Sequence, residues 1–119
     1  MEEKHKMKIE IQFRGVMASE ALREHVSRRV AFQLDHLSDH VASVTLRLED
    51  INGPKGGVDM RCTVLVRGTW QSPVMVCELS DSPYVAVDLA LERVARAVGR
   101  DLGRQRSSRR QAGEWRSAS

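Results

Sequence analysis

Residues 42–80, ASVTLRLEDINGPKGGVDMRCTVLVRGTWQSPVMVCELS, contain three consecutive segments in which apolar and polar residues alternate. The segments cover residues 42–50, 58–68 and 72–80, and this alternation is typical of half-buried β-strands. INGPKGG (51–57) is rich in loop-forming residues, and TWQ (69–71) is the turn before the last segment. Three strands with short connections predict an antiparallel meander.

A further strand and a helix precede the meander. KIEIQF (8–13) also alternates and predicts the first strand. Ser19 is a good N-cap for a helix that ends between His36 and His40. Its apolar residues recur at helical spacing: Leu22, Val26, Val30, Leu34 and Leu37.

A second helix follows the meander, with Ser82 as its cap and Pro83 at its first position. We expect it to end near Leu102, because Gly99 and Gly103 weaken its last turns. The order predicts an α+β fold, a two-layer β-α-β-β-β-α sandwich whose four-stranded sheet carries both helices on one face. The expected divisions are a flexible N-terminus (1–7), one domain (8–103) and a basic, disordered tail (104–119).

The composition is that of a small cytoplasmic protein. The chain has 119 residues, of which 41% are hydrophobic and only 4% aromatic, so the core is expected to be aliphatic. No segment is long and apolar enough to cross a membrane, and the start, MEEKHKMK, does not resemble a signal peptide. Two cysteines without CxxC spacing fit reduced thiols in the cytosol.

Positive charge is concentrated at the C-terminal end. Residues 93–119 hold eight arginines against two acidic residues, a net +6, whereas the rest of the chain carries −3. Such an asymmetry predicts a polyanionic partner that is bound mainly from one side. On charge alone, RNA, DNA and an anionic membrane all remain candidates.

The arginines of the second helix recur on one side of it. At about 100° per residue, an apolar arc contains Tyr84, Val87, Leu91, Val94, Val98 and Leu102. Four arginines fall opposite that arc, and we call them the arginine stripe: Arg93, Arg96, Arg100 and Arg104. A solvated helix face would also explain them, but Arg106, Arg109 and Arg110 in the tail add to the charge and favour nucleic acid, whose phosphates arginine contacts in bidentate fashion.

The first helix is expected to extend this basic surface. Its side away from the apolar residues carries His25, Arg28, Arg29, Phe32 and His36. An aromatic residue within a basic patch is typical of surfaces that bind single-stranded or irregular RNA. Alternatively, Phe32 packs at a domain edge or in a dimer contact, and the histidines are incidental.

Catalytic and metal-binding patterns are not found in the sequence. His36 and His40 have i,i+4 spacing, but no nearby carboxylate or thiolate completes a ligand set. Cys62 and Cys77 lie on adjacent predicted strands, could face each other, and are interpreted as core thiols. GPKGG (53–57) precedes a strand instead of the helix that a phosphate-binding loop requires. We therefore expect no enzyme activity, no cofactor, no metal and no small-molecule substrate.

The sequence resembles the ribosome hibernation-promoting factors and ribosome-associated inhibitor proteins over roughly residues 8–106. The resemblance rests on the β-α-β-β-β-α order, on SEALREHVSRRV (19–30) and on SPYVAVDLALERVARAV (82–98). That family's second helix typically opens with Asp-x-Tyr-x-Ala-Ile-Asp, and here Ser82 takes the place of the first aspartate. LEDINGPKGGVDMRCTVLVRG (48–68) is similar to a bacterial subgroup described as ribosome-associated.

The resemblance implies binding to ribosomal RNA of the small ribosomal subunit, in the channel for mRNA and tRNA. Occupancy of that channel would inhibit translation sterically during stress or stationary phase. The arginine stripe would face the RNA, and Arg28 and Arg29 match basic positions of the family's first helix. The alternative is a diverged, non-enzymatic protein-interaction module with the same fold.

Two features depart from the family pattern. The body of this chain is acidic where relatives are usually more basic, and residues 104–119 are too short to supply the second dimerisation domain of the family's long forms, so ribosome dimerisation by this chain alone is not expected. The sequence leaves the oligomeric state open, because an exposed edge strand could pair with a second copy.

Overall fold

The structure is a computed structural model that describes residues 7–52, 59–70 and 72–118, with side chains as far as Arg104. Its elements are β1 (Lys8–Arg14), α1 (Glu20–Leu34), a 3₁₀ turn (Asp35–Leu37), β2 (Val41–Asp50), β3 (Met60–Gly68), β4 (Val74–Ser80) and α2 (Pro83–Ala118). The predicted flexible N-terminus lies outside the described residues except for Met7. The predicted loop 51–57 does so from residue 53 onwards.

The four strands form one mixed sheet in the order β1-β2-β3-β4. β1 is parallel to β2, as expected when a helix connects two neighbouring strands. β2, β3 and β4 pair antiparallel, which confirms the predicted meander. Because β1 and β4 therefore point the same way and each is followed by a helix that reverses the chain, α1 and α2 run in the same direction.

A single aliphatic core lies between the sheet and the helices. Residues of β2, β3 and β4 that face each other in the register, such as Leu46, Val64 and Val76, are buried on one face of the sheet. Both helices contribute to the same core, through Leu22, Val26, Val30, Leu34, Ala86, Val87, Ala90, Leu91, Val94, Val98 and Leu102. Complete burial of a Val or Leu side chain contributes about 1.5–3 kcal/mol. The predicted two-layer α+β fold, with both helices on one face, is confirmed.

Both helices begin where the sequence predicts. The Ser19 hydroxyl accepts a hydrogen bond from the Leu22 amide at 3.1 Å, and the Ser82 hydroxyl accepts one from the Val85 amide at 3.4 Å. These bonds satisfy backbone donors that the first turn of a helix leaves without a partner. The serine caps therefore stabilise the first turn of each helix and favour its start at this position.

The second helix is longer than the sequence predicts. Its backbone stays helical from Pro83 to Ala118, beyond the expected end near Leu102 and through the segment 104–118 expected to be disordered. Gly99 and Gly103 do not end it, because a glycine inside a helix costs only about 1 kcal/mol relative to alanine. A β-carbon added at either glycine would contact nothing within 4 Å, so both positions are open on the helix surface.

The two cysteines lie on opposite faces of the sheet, so the interpretation as core thiols is confirmed for Cys62 and wrong for Cys77. In the register Cys62 lies opposite Glu78, and Thr63 lies opposite Cys77. This offset of one residue places Cys62 in the core and Cys77 on the exposed face of the sheet. Burial, with a smaller contribution from the charge of Cys77, raises the pKa of the Cys62 thiol to about 12.

Candidate nucleic-acid interface

The apolar side of α2 fixes the orientation of the arginine stripe. Val87, Leu91, Val94 and Val98 are completely buried, and Leu102 is nearly so. All four arginines of the stripe are exposed, as the helical phase predicts. Tyr84, which was expected on the apolar arc, lies at its margin, with 38% of its surface exposed.

The two ends of the stripe are already paired with acidic residues. Arg93 Nη1 donates a hydrogen bond to Glu78 Oε2 on β4 at 2.7 Å and a longer one, 3.4 Å, to the Cys77 carbonyl. Arg104 forms an ion pair with Asp101, one turn earlier on α2. Part of the charge at these two positions is therefore neutralised within the protein.

The middle of the stripe has no such partners. Among the described residues, neither Arg96 nor Arg100 takes part in an ion pair, although Glu92 precedes Arg96 by one turn. Both guanidinium groups are exposed and carried by a helix that the core holds in place. They can contact an external phosphate without first breaking an internal ion pair.

A second basic surface lies on α1. His25, Arg28, Arg29 and Phe32 line an open cleft, and we call these four residues the α1 cluster. Phe32 has 71% of its surface exposed, so it does not pack into the core. The Arg29 guanidinium lies over its ring, with Cζ 4.9 Å from the ring centroid. His36, on the 3₁₀ turn, is exposed and does not line this cleft.

Asp88 of α2 holds the α1 cluster in position. His25 Nε2 donates a hydrogen bond to Asp88 Oδ1 at 2.8 Å, and Arg29 Nε lies 3.2 Å from the same oxygen as an ion pair. The ring of Tyr84 meets His25 edge-on, with centroids 4.9 Å apart and planes at 78°. Asp88 and Tyr84 thus position side chains of α1, a role that the sequence analysis missed. The only signal available from sequence was their place in the pattern that opens α2.

The two basic surfaces are related through the phase of α2. Arg93 reaches β4 while Asp88 reaches α1, and these two positions are about 140° apart around the helix. Arg96 lies between them, about 80° from Asp88, and so turns closest to α1 of the four stripe arginines. The helical phase therefore places Arg96 on the side of α2 nearest the α1 cluster, and Arg93 and Arg104 on the side farthest from it.

A family model for "Sigma 54 modulation protein / S30EA ribosomal protein" matches residues 9–106, nearly the whole domain. The chain belongs to the Sigma 54 modulation / S30EA ribosomal protein family. This confirms the family resemblance inferred from the sequence. Ser82, which stands where the family pattern has aspartate, keeps the capping function through its bond to the Val85 amide.

Solved structures of similar fold agree with this assignment. A ribosomal subunit interface protein from Coxiella burnetii has a TM-score of 0.65 and 19% sequence identity, covering 79% of this chain and 96% of that one. The N-terminal domain of Protein Y from Thermus thermophilus has a TM-score of 0.65 and 23% identity, covering 79% and 98% of the two chains. At these identities the likeness is one of fold. No curated protein is significantly similar to the chain in sequence.

Metal-binding clusters and membrane-spanning helices are both absent from the part of the chain that the structure describes. Within residues 7–52, 59–70 and 72–104, no group of three or more His, Cys, Asp or Glu residues is arranged to hold a metal ion. His36 and His40 accordingly form no such group there. The described helices also include none with the length and apolarity needed to cross a membrane.

Proposed function

We propose that this protein binds the small ribosomal subunit through ribosomal RNA and inhibits translation by occupying the channel for mRNA and tRNA. It would act in the cytoplasm, during stress or stationary phase. The proposed action is steric, so no bond is formed or broken and no cofactor is needed. Membership of a ribosomal protein family supports a ribosomal partner. One solved relative is itself described as a ribosomal subunit interface protein.

The pair Arg96 and Arg100 is the observation that carries the proposal. They are exposed, have no ion-pair partner among the described residues, and stand on a helix that is anchored by a completely buried face. Each arginine that neutralises a phosphate releases counterions, so binding by such residues weakens steeply as the salt concentration rises. Arg28, exposed on α1, would add a further contact of the same kind.

The test is co-sedimentation of the purified protein with small ribosomal subunits over a series of salt concentrations. We expect Arg96→Glu combined with Arg100→Glu to abolish binding while the thermal melt stays unchanged, since both side chains are exposed. Arg14→Glu combined with Arg67→Glu is the matched control. It makes the same change in net charge at exposed strand positions outside the helix layer. Equal loss of binding in both variants would contradict a localised RNA surface.

The alternative function is binding to a protein through the open face of the sheet. Met75 and Leu79 on edge strand β4 have 67% and 57% of their surfaces exposed, an apolar strip that RNA binding does not explain. The same pair of variants decides between the two functions. A partner held by the sheet would be retained by the Arg96→Glu, Arg100→Glu variant and would show little dependence on salt.

A further inference from the structure

Phe32 is a large apolar side chain that the fold leaves outside the core. Its 71% exposed surface and the cation stacked on it distinguish it from the buried residues of the same helix. Exposing an aromatic ring forgoes stabilisation that burial would provide. The ring therefore contributes little to folding and is available for contact with a partner.

The stacking of Arg29 on Phe32 is fixed from a second element. Asp88 Oδ1 lies 3.2 Å from Arg29 Nε as an ion pair without a hydrogen bond, and the terminal guanidinium nitrogens have no acceptor among the described residues. The same Asp88 oxygen accepts from His25, so three side chains of α1 and one of α2 form a connected series. A cation–π pair held in this way loses little conformational freedom when a ligand binds.

Arg28 supplies a charge beside the ring. It is exposed, and none of the described residues pairs with it. It precedes Phe32 by four residues, so the two side chains are neighbours on the helix surface, about 5–6 Å apart at their β-carbons. A flat aromatic surface with an unpaired guanidinium at that distance suits a nucleotide, whose base stacks while its phosphate meets the cation.

We propose that Phe32, stacked against Arg29, is a platform for one unpaired nucleobase of RNA, with Arg28 binding a flanking phosphate. This rests on the proposed function for the identity of the polyanion, and it adds that the recognised RNA is unpaired at this point. A base inside a duplex has its faces covered by its neighbours and cannot stack on the ring. The α1 cluster therefore selects single-stranded, bulged or loop nucleotides, whereas the arginine stripe contacts the backbone of any RNA.

The test compares Phe32→Leu and Phe32→Trp for binding to a short single-stranded RNA and to a duplex of the same sequence, by fluorescence anisotropy. We expect Phe32→Leu to weaken single-strand binding about 5- to 150-fold. Phe32→Trp, which keeps an aromatic ring, should bind the single strand as the wild type does. Binding to the duplex should be unchanged in both variants. The slope of log K against log salt should stay the same in Phe32→Leu, because no charge is lost. Met75→Ala, at a similarly exposed apolar side chain on the sheet, is the control.

Equal affinities of wild type, Phe32→Leu and Phe32→Trp for the single strand would overturn the platform. So would a wild-type dimer in sedimentation equilibrium that Phe32→Leu converts to monomer, because the ring would then be a contact between copies. Co-sedimentation with small ribosomal subunits tests the proposed function independently of the platform. If the wild type does not bind small subunits but Phe32→Leu still weakens binding to the single strand, the platform is supported and the ribosomal function is contradicted.

Discussion

The two basic surfaces of the helix layer differ in what holds their side chains. In the arginine stripe, the buried face of α2 sets the direction of each arginine. Arg96 and Arg100, however, form no ion pair with any described residue. In the α1 cluster, Arg29 is held from the neighbouring helix by Asp88 and lies against an aromatic ring. The stripe offers charge that can adapt to a backbone, whereas the cluster offers a preformed surface.

This difference has consequences for recognition. Adaptable charge binds phosphates regardless of sequence or pairing, and its strength depends on salt. A fixed aromatic ring stacks only on bases whose faces are not covered by neighbouring bases. The ring carries no charge, so its contribution to the binding free energy releases no counterions. If the protein binds RNA as proposed, the arginine stripe would supply affinity and the α1 cluster would supply selectivity.

The largest expected effect comes from breaking the support beneath the stripe. Val94→Asp buries an unpaired charge on the core side of α2, opposite the stripe, which should lower the free energy of unfolding by about 4 kcal/mol or more. We expect loss of the cooperative melt and exposure of Cys62, which is protected in the folded core, to a thiol reagent. Gly99→Asp introduces the same charge at an open helix position and should leave the melt nearly unchanged. A normal melt for Val94→Asp would show that the helical phase is wrong.

The next effect compares arginines within the stripe. Arg96→Gln should reduce the salt slope of RNA binding by about 0.7, the value for one lost phosphate contact on a single strand. Arg93→Gln should reduce it less, because Glu78 already neutralises part of that charge at 2.7 Å. The measurement is a salt titration of affinity for a single-stranded RNA, with Arg67→Gln on the sheet as the unchanged reference. An equal reduction of the salt slope in Arg93→Gln and Arg96→Gln would show that the ion pair with Glu78 does not weaken the contact of Arg93 with phosphate.

The smallest effect tests whether Asp88 positions the α1 cluster, and its sign is diagnostic. Asp88→Asn removes a negative charge near a polyanion, which by Coulomb attraction alone should strengthen RNA binding. We expect it instead to weaken single-strand binding about fivefold, because Arg29 is released from its position. Glu92→Gln removes the same charge one turn later on α2, where it has no described ion pair, and should not weaken binding. Stronger binding in both variants would show that Asp88 acts only as a charge.

Much of the fold could be predicted from sequence because its signals are local. Alternation identified the strands, and Ser19 and Ser82 identified the helix starts, since each cap acts within three residues of its own position. The end of α2 was not predictable in this way, because Gly99 and Gly103 cost too little to stop a helix. The interpretation of Cys77 as a core thiol was wrong, because an offset of one residue in the register places its side chain on the other face of the sheet from Cys62.

In the candidate site, too, the part that depends on local sequence was predictable and the part that depends on contacts between helices was not. The arginine stripe follows from the period of one helix, so its exposure was predictable. The α1 cluster depends on Asp88, which is 63 residues away from His25 in sequence and meets it only once both helices pack on the sheet. Helical periodicity predicted a basic patch around Phe32, but the ring's fixed partner could be recognised only from the contact between the helices.

Co-sedimentation with small ribosomal subunits across salt concentrations tests the central claim most directly. Wild type and the Arg14→Glu, Arg67→Glu variant should both bind saturably, with affinity that falls steeply as salt increases, while the Arg96→Glu, Arg100→Glu variant should not bind. Identical sedimentation of all three proteins, or no binding of wild type even at low salt, would contradict the account.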